Sequence, residues 1–390
     1  MTGVRMVPLE AVATIERDVI DASSIEDDTP YVGLENIQSG GDLVDVRQVR
    51  TGELASSKFT FTPHHLLYGK LRPYLAKIAR PDFGGICSTD ILPVLPGPDL
   101  DRGYLAHFLL RPESVAWASS RATGANLPRL SPRALAEMAI PVPPLPEQRR
   151  IAEALDRAEV LRAKRRASLA QLDTLSQAIF LDMFGDPANN PKSWPQKPLG
   201  ELIADGPQNG LYKPAADYGS GTPIVRIDAF YDGVVTKLAS LKRVRVSTEE
   251  QALYALHPGD ILVNRVNSRE FVGKSALVPM LAEPTVFESN MMRFAVDRTV
   301  VHPGFLIEYL QTRFARTHIV KCTKDAVNQS SINQQDVKSI PTVLPPRPLQ
   351  ERFVERLAGV ERLKSANTAS LACLDALFAS LQDRAFRGEL

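Results

Sequence analysis

A long segment that occurs twice limits the possible folds of this chain more than any other feature. Residues 141–184 begin with a cluster of prolines and then run to Phe184 without a glycine or another proline, and residues 341–390 repeat the proline cluster and the long segment. The same residue type recurs 202 positions later for Leu169, Leu172, Asp173, Leu175 and Phe184. Because an internal repeat determines the architecture, we predict two similar halves that each end in a long helix.

The segments that precede the two helices also correspond. Residues 29–37 and 222–230 each predict a short strand, because apolar residues alternate after a Thr-Pro pair. Residues 66–79 and 259–278 each predict a strand, a basic loop and a second strand. The spacing between the copies grows from 190 to 202 residues along the chain, so the second half carries small insertions, which belong in loops.

Each half therefore contains a globular part before its helix. Short strands between glycine, proline and aspartate breaks, with a few short helices, predict an α+β fold with a largely antiparallel or irregular sheet. Among these strands, residues 88–94 align with residues 289–295. Proline cannot continue a helix interior, so each proline cluster marks a boundary. The predicted division is a globular domain at 1–140, a long helix at 141–184, a linker at 185–195, a globular domain at 196–340 and a long helix at 341–390.

Both long helices carry apolar residues at steps of three and four. The stripe of the first consists of Ile151, Leu155, Ala158, Leu161, Leu169, Leu172, Leu175 and Ile179. That of the second consists of Phe353, Leu357, Val360, Leu363, Leu371, Leu374, Leu377 and Leu381. A helix of about 36 residues, ~54 Å long, needs a partner to bury such a stripe. We expect the helices to pair antiparallel as a coiled coil that relates the halves by a pseudo-twofold; the alternative is that each helix packs on its own domain.

The composition is that of a globular protein. The hydrophobic content is 44% and the charged content 23%. No run of about 18 apolar residues predicts a membrane span, and the N-terminus lacks the apolar core of a signal peptide, so we expect a cytoplasmic protein. The net charge of +1 neither indicates nor excludes a nucleic-acid binder, since phosphate contacts need a local basic surface rather than a basic total.

The sequence gives no sign of catalysis. It lacks the glycine-rich phosphate-binding motifs, the zinc-protease motif HExxH and the hydrolase motif GxSxG. Its histidines are scattered, and its cysteines, Cys87, Cys322 and Cys373, are too far apart in sequence for a ligand motif. We therefore predict no catalytic residue and no metal ligand, and we interpret the cysteines as reduced thiols.

Basic and amide side chains are instead concentrated in the loops. Arginine contacts guanine, asparagine and glutamine contact adenine, and lysine and arginine contact phosphates. In the first half the candidate DNA-binding residues are Lys70, Arg72, Lys77, Arg121, Asn126 and Arg129. In the second half they are Arg226, Asn264, Arg265, Asn267, Arg269, Lys274, Asn328, Gln329 and Ser331. Ordinary solvation of loops is the alternative for any single residue.

The order of these motifs resembles the specificity subunit of Type I restriction-modification systems. The resemblance rests on GKLRPYLAK, CSTD, NLPRLS, PVPPLPEQRRIAEAL and FGDP in the first half and on AFRGEL at the end of the second. It covers essentially the whole chain. Two segments depart from it: the second helix begins with PPRPLQERF instead of PPLPEQRRI, and the second basic loop, VNRVNSREF, lacks the wording of GKLRPYL.

The resemblance implies a non-catalytic subunit of an adenine-N6 DNA methyltransferase and endonuclease complex. Two target-recognition domains would each read one half of an asymmetric, bipartite site in double-stranded DNA. The paired helices would set the spacing and dock two methyltransferase subunits, through which the restriction subunits, the translocase and nuclease, would join. No cofactor is expected on this chain; S-adenosylmethionine and ATP would bind the partner subunits. The candidate methyltransferase-contacting residues are the helix arginines Arg149, Arg150, Arg157, Arg162, Arg165, Arg352 and Arg356.

Two other functions are compatible with parts of the sequence. A two-headed adaptor or structural coiled-coil protein without DNA specificity would also need two domains on long helices, with lectin-like or peptide-binding heads. A self-sufficient nuclease or methyltransferase is opposed by the missing catalytic motifs. Retention of duplex DNA by an assembly with partners would argue against the adaptor, and catalysis by the purified chain alone would support the enzyme.

Overall fold

A computed structural model describes residues 5–236, 238–326 and 329–389 of the chain. It divides into two compact units, the first made of Met1–Ala167 and Thr368–Leu390 and the second of Ser168–Asn367. This division passes through both long helices, whereas the predicted boundaries keep each helix whole. Each unit therefore combines one globular part with a portion of both helices.

The first unit has an α+β fold. Its strands are β1 (Met6–Pro8), β2 (Ala13–Ile15), β3 (Val19–Ile20), β4 (Thr29–Val32), β5 (Arg47–Val49), β6 (Lys58–Phe61), β7 (Leu66–Gly69), β8 (Ile78–Ala79), β9 (Gly85–Cys87), β10 (Ile91–Pro96) and β11 (Ala139–Pro141). Its helices are α1 (Arg102–Leu109), α2 (Pro112–Ser120), α3 (Pro132–Ala136) and the long α4 (Leu145–Phe184), which continues into the second unit. The sheets run in the orders β3-β6-β9-β4-β5, β2-β10-β7-β8 and β1-β11. Neighbouring strands are antiparallel except for β4 and β9.

The second unit repeats this class of fold. Its strands are β12 (Gln196–Pro198), β13 (Ile203–Asn209), β14 (Tyr218–Val225), β15 (Phe230–Tyr231), β16 (Gly233–Val235), β17 (Lys242–Val244), β18 (Ile261–Asn264), β19 (Val266–Asn267), β20 (Ser275–Leu277), β21 (Val286–Phe287), β22 (Met291–Val296), β23 (Lys324–Ala326), β24 (Gln329–Ser331) and β25 (Pro341–Val343). Its helices are α5 (Thr248–Leu253), α6 (Pro303–Gln311), α7 (Arg313–Cys322), α8 (Gln334–Lys338) and the long α9 (Arg347–Arg387), which ends in the first unit. The sheets run in the orders β13-β22-β18-β20-β16-β15, β17-β14-β21, β19-β24-β23 and β12-β25.

Strand pairing confirms the internal repeat. In the first unit β1 pairs antiparallel with β11, and in the second β12 pairs antiparallel with β25 in the same relation to the helix that follows. The pairs β7–β10 and β18–β22 correspond in the same way, with Ile91 opposite Gly69 and Met291 opposite Asn264. This register corrects the sequence alignment of the strand at 88–94 by one residue, because Ser88 corresponds to Glu288 and not to Ser289.

In each unit the two helix portions run antiparallel, as predicted. In the first unit Arg162 of α4 bonds to Asp375 of α9 at 2.6 Å, while Leu155 lies nearer the start of α4 in a cluster with Ala385. In the second unit Lys364 of α9 contacts Asp173 of α4 at 3.1 Å. The two ion pairs occupy equivalent positions of the repeat, 202 residues apart.

Part of the predicted stripe lies outside the helix seam. The side chains of Leu161 and Leu377 are 53% and 51% exposed, and those of Leu363 and Leu175 are 55% and 37% exposed. Their burial was predicted from spacing alone, and that prediction is wrong for these four residues. The leucines fall into equivalent pairs of the repeat, so the same two outward positions are apolar in both helices.

The core of each unit includes the start of one long helix and the end of the other. In the first unit Phe386, near the end of α9, packs on Tyr104 of α1 with ring centroids 5.0 Å apart. In the second unit Phe184, the last residue of α4, packs on Phe305 of α6 at 4.9 Å and on Phe353 of α9 at 5.1 Å. Each core therefore contains residues that are far apart in the sequence.

A buried glutamine joins each long helix to its globular part. Gln148 accepts a hydrogen bond from the backbone N–H of Asp101 and donates to the carbonyl oxygens of Asp99 and Pro143, each at 2.8 Å. Gln350 accepts from the N–H of His302 at 2.8 Å and donates to the carbonyls of Val300 and Pro345.

Both glutamines are fully buried. The different sequence at the start of the second long helix therefore leaves the joint unchanged, since its glutamine makes the equivalent bonds.

Among the helices of the described ranges, none combines the length and the hydropathy that a membrane span requires.

Candidate nucleic-acid interface

The predicted basic loops share one backbone frame in the two units. In the first, the N–H of Lys70 donates to the carbonyl of Asp90, and the N–H of Leu130 donates to the carbonyl of Lys70, both at 2.9 Å. In the second, Arg265 donates to Asn290 at 2.8 Å, and Ile332 donates to Arg265 at 3.0 Å. The loop after β7 or β18 is thus held between the same two segments in both units.

A short antiparallel contact extends this frame. Leu71 pairs with Arg129 in the first unit, and Val266 pairs with Ser331 in the second. The frame therefore makes Lys70, Asp90 and Arg129 equivalent to Arg265, Asn290 and Ser331. We call these sets the first triplet and the second triplet.

The side chains of the first triplet form an ion cluster. The guanidinium Nε of Arg129 donates to Oδ1 of Asp90 at 2.9 Å, and its Nη2 donates to Oδ2 at 3.3 Å. The ammonium of Lys70 lies 3.9 Å from the same carboxylate. The Arg129 side chain is 43% exposed, and the hydrogen bond that it donates to Asp90 raises the pKa of its guanidinium. The cluster carries a net positive charge and is accessible at its arginine.

The second triplet contains no carboxylate. Arg265, Asn290 and Ser331 are half-buried, and among the described residues the Nε of Arg265 has no hydrogen-bond partner. Two clefts lie beside it. One, of about 420 Å³, is lined by Asn209, Arg265, Asn333, Gln334, Gln335 and Lys338. The other, of about 380 Å³, includes Arg226 and Asn290 in its lining.

Sequence reasoning missed several residues that line these clefts. Asn209 lies at the end of β13, and Tyr212 follows it with a side chain that is 78% exposed. The ammonium of Lys213 lies 2.8 Å from the carboxylate of Glu250. The signal was present in the stretch Gln208–Lys213, which combines two amides, an aromatic ring and a cation within six residues.

Two predicted DNA contacts have a structural role in this conformation. The ammonium of Lys77 donates to the carbonyl of Leu34 at 2.6 Å, and that of the equivalent Lys274 donates to the carbonyl of Ile227 at 3.0 Å. Lys274 also lies 3.9 Å from the ring centre of Tyr231, and burial lowers the pKa of its ammonium. Both amines face the protein, so they hold the frame and are poorly placed to contact a phosphate.

Burial also argues against a direct role for Asn264. Its side chain is fully buried at the end of β18, where its amide lies 3.4 Å from the carbonyl of Phe271. The prediction that it contacts DNA does not fit this position. The amide instead lies under the basic loop, where it can hold that loop in place.

The other predicted DNA contacts are spread over the loops. Arg72, Asn126 and Gln329 are exposed, whereas Asn267 is half-buried. Three arginines have partners: Arg121 lies over the ring of Trp117 at 4.1 Å, Arg226 contacts Glu288 at 3.1 Å, and Arg269 contacts Asp325 at 2.5 Å. Asn328 lies outside the described residues.

The helix arginines differ in their accessibility. Arg149, Arg352 and Arg356 are exposed, and Arg165 is half-buried. Arg150 and Arg157 are exposed and pair with acids one turn earlier on α4. Arg162 is the exception, because its side chain is only 17% exposed and is held between Glu159 and Asp375. Its position fits a role in the helix pair better than the predicted contact with a methyltransferase.

Within residues 5–236, 238–326 and 329–389, no group of histidine, cysteine and acidic residues is arranged to hold a metal ion. What the structure brings together is instead a pair of equivalent frames that present different polar side chains. Such an arrangement suits recognition of a polymer by hydrogen bonds and charge.

Comparison with known proteins finds similarity to one family. A family model described as Type I restriction modification DNA specificity domain matches residues 7–171. Over 325 residues the chain is 28% identical to the Type I restriction enzyme EcoKI specificity subunit of Escherichia coli (strain K12). This alignment covers 79% of this chain and 69% of that protein. The StySPI specificity subunit of Salmonella potsdam is 27% identical over 327 residues, with the same two coverages.

Solved structures share the fold. A chain from a structure that describes complex assembly and conformational transition of the type I R-M system matches with a TM-score of 0.65 at 22% identity, covering 100% of this chain and 99% of that one. The S subunit of a Type I restriction-modification system from M. genitalium matches with a TM-score of 0.59 at 13% identity, covering 98% and 96%. Residues 7–171 thus match the Type I restriction modification DNA specificity domain, and over 79% of its length the chain is similar to specificity subunits of Type I restriction enzymes.

Proposed function

We propose that each unit reads one half of an asymmetric, bipartite site in double-stranded DNA. The observation that carries this proposal is the shared frame with different side chains, Lys70–Asp90–Arg129 in one unit and Arg265–Asn290–Ser331 in the other. Equivalent backbones would approach equivalent positions on a duplex, whereas different side chains would prefer different bases. Two half-sites of different sequence follow.

The long helices would set the distance between the half-sites. Helix α4 has 40 residues and continues from one unit into the other, and α9, with 41 residues, does the same in return. At 1.5 Å per residue each helix is ~60 Å long. A change in helix length should therefore change the unread gap and leave the half-sites as they are.

The outward leucines of the helices would dock the methyltransferase subunits. Leu161 and Leu377 in the first unit, and Leu175 and Leu363 in the second, are exposed large apolar residues at repeated positions. Exposed arginines such as Arg149 and Arg352 lie on the same helices, and apolar centres with arginine are typical of protein interfaces. Two equivalent surfaces fit two methyltransferase subunits, through which the restriction subunits would join.

The chemistry would reside on those partners. S-adenosylmethionine would bind the methyltransferase subunits and ATP the restriction subunits, with no cofactor on this chain. Methylation of an adenine requires that the base leave the stack, and this subunit would hold the duplex during that step.

Sequencing of methylated DNA from cells with and without this gene tests the proposal. We expect one bipartite, asymmetric motif that is methylated only when the gene is present. Absence of any such motif while the partner subunits are present would contradict the proposal. If the assembly also failed to retain duplex DNA at low salt, an adaptor without DNA specificity would be favoured.

A length change in the helices tests the spacing. Insertion of seven residues after Ala167 together with seven after Ala369 adds two turns to both helices and keeps the seam on its face. The added ~10 Å corresponds to about three base pairs of the duplex. We expect the gap in the methylated motif to lengthen while both half-sites stay the same.

The matched control is Ala167→Ser with Ala369→Ser, which leaves the helix length unchanged and should leave the gap unchanged. An unchanged gap in the insertion variant, with methylation retained, would show that the helices do not set the spacing.

A further inference from the structure

An acidic side chain lies at the centre of the first triplet, where a DNA-binding surface would be expected to be basic. Asp90 is equivalent to Asn290 in the second unit, and its backbone carbonyl receives the same hydrogen bond. The frame therefore does not require a carboxylate. A negative charge that faces DNA opposes binding by repulsion, so its presence calls for a specific role.

The geometry of the Arg129–Asp90 pair suggests that role. The carboxylate takes the Nε–Nη2 edge of the guanidinium, with contacts of 2.9 and 3.3 Å. The other polar edge, formed by Nη1 and Nη2, is directed away from the carboxylate, and Nη1 has only a long contact of 3.5 Å to the carbonyl of Leu127. Two N–H groups on one edge are what a bidentate contact with O6 and N7 of guanine requires.

The surroundings of Arg129 hold it in place while leaving it accessible. Its backbone pairs with Leu71 and with Thr123, so the residue is attached on both sides. Its side chain is 43% exposed, and Asn126 and Leu127 of the same loop are exposed. An oriented arginine on a rigid backbone loses little conformational freedom on binding, which favours discrimination between bases over general attraction to phosphate.

We infer that Arg129, oriented by Asp90, recognises a guanine in the half-site read by the first unit. Asp90 is the positioning residue, and Arg129 is the residue that contacts the base. The inference rests on the proposed function, since it assumes that the first unit reads DNA. It adds a base identity and a residue that the sequence did not single out. The second unit lacks the arginine and the carboxylate at these positions, so it should not read a guanine in this way.

Selection of bound duplexes from a randomised pool tests the inference. The full chain, assembled with its methyltransferase subunits, is compared with the Arg129→Lys variant. This substitution keeps the positive charge but removes the pair of N–H groups needed for a bidentate contact. We expect the preference for guanine at one position of one half-site to fall on the order of 10- to 100-fold. The other half-site and the gap should be unchanged.

Asp90→Ala tests the positioning role separately. It should weaken the preference at the same position, by less than Arg129→Lys, and leave binding to unrelated duplexes the same or slightly stronger. The matched control is Glu137→Ala, which removes the acid from the exposed Arg133–Glu137 pair, 3.1 Å apart, in the same unit. This control should select the wild-type motif.

Other outcomes would overturn the inference in distinguishable ways. If Arg129→Lys selects the wild-type motif, or loses affinity equally for all sequences, Arg129 contacts phosphate or nothing and the inference fails alone. If Asp90→Ala changes a position that Arg129→Lys does not, Asp90 does not act through Arg129. If the wild-type assembly selects no motif, the proposed function fails together with the inference.

Discussion

The two units share an equivalent backbone arrangement but carry different side chains at the candidate DNA-binding site. The joint between helix and globular part is nearly identical, since Gln148 and Gln350 make equivalent hydrogen bonds. The half-buried lysines Lys77 and Lys274 also donate to equivalent carbonyls. The triplets differ at every position. Attachment is thus kept in both copies, whereas the surface that would meet DNA has diverged.

A second difference lies where the long helices enter the cores. The second unit surrounds Phe184 with aromatic rings, including those of Phe180, Phe305 and Phe353, whereas the first unit offers Phe386 the rings of Tyr104 and Phe108. The second core is therefore more aromatic at this joint, and Phe184 is more deeply buried, at 2% against 8% exposure for Phe386.

Truncation of these phenylalanines should give the largest effect. We expect Phe184→Ala and Phe386→Ala to lower the free energy of unfolding by about 3–5 kcal/mol, the former by more because it leaves the larger aromatic cavity. The chain's two tryptophans separate the units, since Trp117 lies in the first and Trp194 in the second. Urea titrations in Trp117→Phe and Trp194→Phe backgrounds would follow each unit by fluorescence. Equal shifts of both signals for either variant would show that the units unfold as one.

Replacement of the joint glutamines should have an intermediate effect. Gln148→Leu and Gln350→Leu each leave a buried N–H and two carbonyl groups without their partner, at a cost of about 2–3 kcal/mol. Because the bonds are equivalent, the two costs should agree, each reported by the tryptophan of its own unit. If only one of the two variants lowered the free energy of unfolding, the equivalent hydrogen bonds would not contribute equally to the stability of the two units. Gln171→Leu, at an exposed site on α4, is the control.

Acid should produce the smallest effect, and of opposite sign in the two units. In the first unit Asp156 lies 2.8 Å from His107 and 2.6 Å from Arg80. Burial favours a higher pKa for Asp156, but the hydrogen bonds from His107 and Arg80 outweigh it and hold the pKa well below its usual range. A carboxyl whose pKa is lower in the folded state stabilises the fold at pH values above its unfolded-state pKa of about 3.9. This stabilisation is lost as the pH falls below that pKa.

Asp101 and His302 donate equivalent hydrogen bonds to Gln148 and Gln350, so Glu308 occupies in the second unit the position that His107 has in the first. Burial, followed by the charge of Glu361, raises the pKa of Glu308, although Lys364 opposes the shift. A carboxyl with a raised folded-state pKa stabilises increasingly as the pH falls through that pKa toward about 4.3.

As the pH falls from 6 to 3, we therefore expect Asp156 to lower the free energy of unfolding of the first unit, followed by Trp117 fluorescence, by about 1 kcal/mol. The value is modest because the Asp156 side chain is 41% exposed. The contribution of Glu308 to the Trp194 signal should be a gain. Asp156→Asn should abolish the first effect and Glu308→Gln the second. The comparison fails if neither variant changes the pH dependence of its own unit.

The sequence was sufficient for the features that depend on repetition and periodicity. It predicted the repeat, the α+β class and the antiparallel helices, because these follow from spacing and apolar pattern. It could not separate the outward from the inward leucines of the stripe. Leu155 and Leu161 both fit the same three- and four-residue pattern, and only the position of the neighbouring helix decides which of them is buried.

The candidate site was harder to predict for a related reason. Lys70 and Lys77 look alike in GKLRPYLAK, yet one faces a carboxylate at the surface and the other a backbone carbonyl inside the frame. Asp90 is not among the DNA contacts predicted from the sequence. Its significance depends on its distance from Arg129, which lies 39 positions later in the sequence.

The helix ends that complete each core also determine the order in which the cores can form during synthesis. The second unit is continuous from Ser168 to Asn367, so all of its residues are available once that segment has left the ribosome. The first unit needs Phe386, which is made 219 residues after Ala167. At about 5–20 residues per second this is a delay of roughly 10–40 s. The part of the protein that is made first is thus the last to be completed, and premature termination would leave it without its closing aromatic residue.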